Sequence, residues 1–300
     1  MNIIRPTTKL HTIDEWMRLD PALRPVILAN IKLKDRLWAW LKAQQSKELK
    51  PLDDPKWFPC HHCSQTGWVL HEPRYPGIHP SQIINVCELK IFWDMIGEAG
   101  SRSIEARMQL VFDFGTALHQ LFQRYGAHGA WGPQYKAEVK ISAEYQQVAD
   151  DLMLEGSADA ENILVLDSIP NASHIYEVGL VHEYKSMNSG VFKGLTRPKP
   201  AHKMQATIYA AALNRPIVVY LYMNKDDSNL ADFPIAFEPD VWGAMSSKAR
   251  KLKGIYDAYN AAVDNKQLPQ LPPGSPGYDC NECSYVKTCH AFKESQQKRK

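Results

Sequence analysis

Residues 154–209, LEGSADAENILVLDSIPNASHIYEVGLVHEYKSMNSGVFKGLTRPKPAHKMQATIY, decide how the rest of the chain is read. Asp159 ends one strand-like segment, and a second segment, rich in β-branched and aromatic residues, carries the triplet Glu183-Tyr184-Lys185. Alternate side chains share a face of a strand, so Glu183 and Lys185 point one way, and His182 and Tyr184 the other. Asp159, Glu183 and Lys185 brought to one spot form a chemical kit. Hard divalent cations take oxygen ligands and commonly only one or two protein carboxylates. A neighbouring ammonium can orient an attacking water and offset charge building on a phosphate. An E-x-K triplet alone is also what a solvated strand face with a cross-strand ion pair looks like.

The companions of that triplet, and their order, sharpen the reading. Gly115–His119 (GTALH) comes first, then Gly156–Asp159 (GSAD), Glu183–Lys185 (EYK) and Gln205–Tyr209 (QATIY). This succession resembles the RecB-like branch of the PD-(D/E)XK nuclease superfamily, whose pattern is G-x-x-x-H, G-x-x-D, (D/E)-x-K and Q-x-x-x-Y. The resemblance covers roughly residues 78–292. It implies a restriction-endonuclease-like α/β fold, a central mixed sheet flanked by helices; outside it the residues read as an α-helical N-terminal extension over 1–77 and a basic tail over 293–300. It also implies a metal-dependent deoxyribonuclease. Asp159 and Glu183 would hold Mg²⁺ or Mn²⁺ with the Tyr184 carbonyl, His119 would support the metal or order the group beside it, and Lys185 would position and activate water. Gln205 and Tyr209, four apart on a helix, share a face suited to touching the DNA backbone or holding Lys185.

Six cysteines in a chain of this kind argue for metal chemistry over disulfides. Cys280, Cys283 and Cys289 are spaced C-x₂-C-x₅-C, Cys60 and Cys63 form C-x₂-C, and Cys87 stands alone. The segment PSQIINVCELKIFWDMIG, read as one helix capped by Ser81 with Cys87 on a turn, resembles the start of RecB-like domains that carry an iron-sulfur cluster, as in CRISPR adaptation and AddB-type nucleases. By that resemblance Cys87, Cys280, Cys283 and Cys289 would bind one 4Fe-4S cluster. Closing nearly two hundred residues, it would be structural before it is redox-active. Residues 51–80 carry six prolines and read as loop with one hairpin at most. There Cys60 and Cys63 are half of a zinc site whose other ligands would come from His61, His62, His71 or His79; two free thiols in a loop is the competing reading.

The remaining segments carry core and surface. Thr12–Glu15 (TIDE) reads as a capping box opening a helix, and 26–49 as a helix burying Trp38, Trp40 and Leu41. Residues 103–125 read as an amphipathic helix ended by Gly126. Strands are expected near 135–142, 150–159, 162–167, 174–186, 216–223 and 233–237, with helices over 201–213 and 239–265. A formal charge of +2, from 35 basic and 33 acidic residues, means that any nucleic-acid surface must be local. Its candidates are Lys193, Arg197, Lys199 and Lys203, between the E-x-K strand and the next helix. The tail KESQQKRK reads as a solvated, frayed end.

No run of about eighteen apolar residues occurs, and MNIIRPTTKL lacks a signal peptide's apolar centre, so a soluble, cytoplasmic protein with no membrane partner is expected; the resemblance implies a bacterial cell or phage-infected host. No G-x-x-x-x-G-K-[ST] loop appears, so a helicase or recombinase partner would come from another chain. The expected activity is exonucleolytic trimming of single-stranded DNA ends in recombination, repair or phage DNA processing. The alternatives are a CRISPR adaptation nuclease, a non-catalytic nuclease-fold DNA-binding or scaffold subunit, and a zinc-ribbon regulator.

Overall fold

The computed structural model describes residues 6–44, 77–84, 87–98, 106–141, 146–169, 173–265, 267, 270–272, 274, 280 and 283–297. Its strands are Thr7–Leu10 (β1), Lys136–Lys140 (β2), Ser157–Leu166 (β3), Ile175–Met187 (β4), Ile217–Asn224 (β5) and Leu230–Ala236 (β6). They make one mixed sheet in the order β2-β3-β4-β5-β6, with β1 also on β4. The pairs β4–β5 and β1–β4 are parallel and the others antiparallel. In β4 every residue from Val178 to Tyr184 is buried, as in a strand covered on both faces, which reads as a nearly continuous apolar run. The parallel step from β4 to β5 needs a crossover, supplied by the helix Pro200–Ala212 (α9).

Helices cover both faces. On one lie Pro80–Ile83 (α4), Glu88–Met95 (α5), Gln146–Leu152 (α7), α9 and Pro239–Asp264 (α10). Their core includes Ile83, Ile91, Leu152, Val181, Ile208, Tyr220 and Leu252. On the other lie Ile13–Arg18 (α1), Leu23–Asn30 (α2), Leu33–Gln44 (α3) and Ala106–Ala127 (α6), around Trp16, Ile27, Leu37, Phe122, Trp131, Leu180 and Tyr184. A third, smaller cluster of Cys87, Leu89, Phe92, Trp93, Cys283 and Tyr285 forms beside Val286–Gln297 (α11). The expected α/β architecture, a central mixed sheet flanked by helices, is therefore observed. Among the described residues no helix is long and apolar enough to cross a membrane.

The N-terminal segment is built into the second face, and it contributes a strand that its sequence does not announce. β1 pairs with Ile175–Val178, in line with β5, which joins β4 from Leu180 onward. Between them sits Gly179, where a Cβ would lie 2.6 Å from the His11 carbonyl oxygen, so the close approach needs glycine. Arg215 clamps the junction: it donates to buried Glu161 at 2.7 and 3.0 Å and to the His11 carbonyl at 3.3 Å. Lys136 completes the charge balance on Glu161 at 3.0 Å.

Several expected elements change form. Residues 150–159 are not one strand: α7 occupies Gln146–Leu152, and β3 then runs unbroken through 162–166. Val148 and Leu152, one helical turn apart, both reach the core, and that spacing wins over the short apolar run. The helix expected over 26–49 breaks at Ile31 into α2 and α3; Leu33 and Leu37 take its buried stripe, Trp40 and Leu41 are half-buried, and Trp38 stays 47% exposed. Thr12 and Glu15 do form the capping box of α1. The Pro80 helix is two helices: His79, not Ser81, caps α4, and Cys87 caps α5 instead of sitting on a helical turn. α6 runs past Gly126 to Ala127, and α11 carries the tail as far as Gln297. Cys60, Cys63, His61, His62 and His71 lie outside the described residues.

Candidate active site

β3 and β4 part company at the site. Their last register pair is Ala160 with His182, and the next residues outward are Asp159 and Glu183. β4 continues alongside β5 to Met187, so it is β3 that turns away. The Asp159 carboxylate fills the gap: Oδ2 accepts the Tyr184 backbone N–H at 2.6 Å, and Oδ1 lies 3.0 Å from His119 Nδ1 on α6. Burial alone would lower the His119 pKa, but the Asp159 carboxylate outweighs it and the value is raised. Just upstream, Gly156 has φ +139°, and a Cβ there would lie 2.9 Å from the His79 ring, so both backbone and space require glycine in GSAD. His79 thus packs over this turn.

Glu183 and Lys185 share the α9 face of the sheet, as alternation requires. The Glu183 side chain is 1% exposed, with Oε1 2.5 Å from Lys185 Nζ. Burial raises its carboxyl well above the ordinary range; Lys185 opposes the rise and Asp159 adds to it. Lys185 is itself desolvated, yet the two carboxylates hold its ammonium above the ordinary value. Glu183 Oε2 is a buried acceptor without a hydrogen-bond partner. A buried, unsatisfied carboxylate oxygen, with the Asp159 carboxylate near enough to raise its pKa, is of the donor type that hard cations take. As the side chains stand, no three His, Cys, Asp or Glu among the described residues converge on one ion. Asp159 is engaged by His119 and a backbone N–H, and Glu183 by Lys185.

Behind the carboxylates lies a neutral aromatic wall on the opposite face, where His182 and Tyr184 were expected. Tyr135 Oη is 3.0 Å from Tyr184 Oη, which is 3.3 Å from His182 Nδ1, and Trp131 stacks on Tyr184 with centroids 5.8 Å apart. Burial lowers His182 to about 3 and drives Tyr184 up, so both stay uncharged near neutral pH. The sequence reading missed Gln123, whose Nε2 donates to Glu138 Oε1 at 2.5 Å and to the Asp159 carbonyl at 3.2 Å. Its signal was its place one helical turn after His119.

On α9, buried Tyr209 hydrogen-bonds Gln205, and burial together with nearby Glu183 and Asp159 raises its pKa. Among the described contacts neither side chain bonds Lys185, whose ammonium pairs with Glu183. The four basic candidates divide: Lys193, Arg197 and Lys199 are exposed, whereas Lys203 is paired with Glu238 at 2.6 Å. After the four-residue helix Ser189–Phe192 (α8), Lys193–Lys199 joins β4 to α9 beside the site.

In the small third cluster Cys87, Cys283 and Cys289 meet, and exposed Cys280 lies near enough to act on Cys289. Burial raises the Cys289 thiol, and Cys283, Cys87 and Cys280 lie close enough to raise it further. Trp93 Nε1 donates to Cys289 Sγ at 3.3 Å. As these side chains stand, no three of the thiols converge on one ion; four cysteines are the donor type that an iron-sulfur cluster takes, and Cys87, Cys280, Cys283 and Cys289 are the residues that could supply it.

No family model and no curated protein matches the chain. Solved structures similar to it include that of SSO0001, 15% identical over 88% of this chain and 97% of that one, with a TM-score of 0.41. An alkaline exonuclease (LHK-Exo) from Laribacter hongkongensis is 16% identical over 64% of this chain and 94% of that one, TM-score 0.44. LHK-Exo in complex with dAMP is 13% identical over 64% and 93%, TM-score 0.43.

Proposed function

We propose that the chain is a metal-dependent deoxyribonuclease of the PD-(D/E)XK type that trims single-stranded DNA ends in recombination, repair or phage DNA processing. The observation that carries this reading is the pair Asp159 and Glu183 at the divergence of β3 and β4, with Lys185 against Glu183 and one Glu183 oxygen buried and unsatisfied. Asp159, Glu183 and the Tyr184 carbonyl would hold Mg²⁺ or Mn²⁺, with His119 in support. When bound, such an ion lowers the pKa of water and stabilises charge on a phosphoryl oxygen. The chain's own groups do the rest. The Tyr184 N–H and Gln123 keep Asp159 and its strand in place, Lys185 orients water and offsets developing charge, and Gln205 with Tyr209 shapes the wall that the DNA backbone meets. Cys87, Cys280, Cys283 and Cys289 would bind a 4Fe-4S cluster that ties residues 78–292 into one nuclease unit.

End-labelled single- and double-stranded DNA, incubated with the purified protein with and without Mg²⁺ or Mn²⁺, tests the reading. Metal-dependent release of short products, preferentially from single strands, is expected. No cleavage with either metal, or substantial cleavage by Lys185→Ala, overturns it.

A further inference from the structure

His202 lies in the first turn of α9, three residues before Gln205, and belongs to none of the motifs above. Its surroundings define its chemical form. Its Nδ1 is 2.9 Å from Tyr222 Oη, and the two rings stack 25° from parallel with centroids 5.7 Å apart. The same phenol oxygen accepts the Lys199 backbone N–H at 3.3 Å. With the phenol oxygen already accepting from Lys199, the Tyr222 hydroxyl is assigned as the donor to Nδ1, which places the imidazole hydrogen on Nε2. Burial, with Lys185 and Lys199 adding to it, lowers the pKa of the ring to about 4, which keeps it neutral. Nε2 makes no hydrogen bond to a described residue and is not sealed in the core.

Location gives that N–H a purpose. Tyr222 is the register partner of Lys185 on the adjoining strand, so one side chain separates His202 from the ammonium of the candidate site. The charges that act on His202 are those of Lys185 and Lys199. A place with two ammonium groups and one fixed, unspent N–H donor suits an anion with oxygen acceptors.

We propose that His202 binds substrate phosphate, its Nε2–H donating to a non-bridging oxygen of the DNA backbone beside the scissile position, with Tyr222 setting the tautomer. This rests on the nuclease reading and adds to it a second anchoring point on the strand. Being neutral, the donor grips phosphate without a further cation beside Lys185, and it keeps its form across the physiological pH range.

Binding and cleavage of a labelled single-stranded oligonucleotide by His202→Ala, His202→Gln and Tyr222→Phe test it, with binding measured in EDTA so that it is read apart from chemistry. His202→Ala should lose about ten- to hundredfold in kcat/KM, chiefly through KM, and bind more weakly in EDTA. His202→Gln retains a neutral N–H donor and should recover most of both. Tyr222→Phe frees the ring and should fall between. Unchanged binding and kinetics in His202→Ala overturn the proposal. So does a loss in His202→Gln as deep as in His202→Ala when the melting temperatures of both match the parent. If the parent cleaves nothing, the nuclease reading fails separately, and the EDTA titrations alone decide whether His202 holds phosphate.

Discussion

The corner where β3 leaves β4 and the corner where α5 meets α11 both gather residues far apart in the chain, and they do so by different means. At the first, Asp159, Glu183, Lys185 and His119 are held by charge and hydrogen bonds over a neutral aromatic wall, with Glu183 Oε2 and His182 Nε2 buried and without a hydrogen-bond partner among the described residues. At the second, the thiols sit among Leu89, Phe92, Trp93 and Tyr285, and only Cys289 receives a hydrogen bond from the chain among the described contacts. The polar corner can keep its shape through its own bonds, at the cost of burying charge. The cysteine corner would draw much of its cohesion from what the sulfurs bind. The first should therefore fail in activity when altered, and the second in stability.

Substitution at the polar corner gives the largest effect. Asp159→Ala, Glu183→Ala or Lys185→Ala should each lower cleavage by about 10⁴-fold or more, since groups acting as a unit do not lose activity in additive steps. Melting temperatures should move by only a few degrees. Rates on end-labelled DNA beside thermal melting check both halves, and collapse of the fold in Lys185→Ala would erase the contrast between the corners.

The cysteine corner should show the reverse. Protein prepared without oxygen should be brown with about four irons per chain. Cys283→Ser should lose the colour and, by the loop-closure argument, about 4–5 kcal/mol of stability, or roughly 10 °C in melting temperature, while cleavage at low temperature persists. Zinc bound by the four cysteines of colourless protein would replace the cluster but keep the comparison. An unchanged melting temperature in Cys283→Ser would remove it.

The aromatic wall supplies a pH test that belongs to the polar corner alone. His182 is held neutral with its pKa depressed to about 3, so on acidification the unfolded chain takes a proton first. Its contribution to stability is intact above the ordinary histidine value near 6.5 and is lost as pH falls toward 3. Metal-free parent protein should lose about 3 kcal/mol more than His182→Phe between pH 7 and pH 4 in urea titrations. Equal losses would mean that the ring is solvated and the wall is open.

What was legible in the sequence follows the same division. The β4 strand, with its burial on both faces and its Glu183/Lys185 alternation, was readable because a covered strand writes its environment into consecutive residues. β1 was not: TTKL is four residues long, and its partner begins at Ile175. The stretch before Gly156 was misread because a short apolar run does not by itself distinguish helix from strand. His202 was invisible for another reason, since its role comes from how α9 docks on the sheet; Gln123 had only its place one turn after His119 to mark it, and the docking of α6 decides what it touches. Lys203 looked like its basic neighbours until the fold put Glu238 2.6 Å from it.

The smallest expected effect concerns the way a strand would leave the polar corner. Lys193, Arg197 and Lys199 are exposed on the connection between β4 and α9, and Lys199 also gives its backbone N–H to Tyr222 beside Lys185. A DNA strand held at Lys185 and running over this connection would place phosphates against all three. Each neutralised phosphate releases counterions, so replacing the three together with Ala should flatten the dependence of binding on salt by about two to three units of slope and weaken all sequences alike. At moderate salt that amounts to about tenfold in affinity or less. Lys203→Ala, already spent on Glu238, should leave the slope unchanged and serves as the internal control. Binding of single-stranded DNA across a salt series decides between paths: an unaltered slope in the triple variant would send the strand out elsewhere, and the connection would be an ordinary solvated loop.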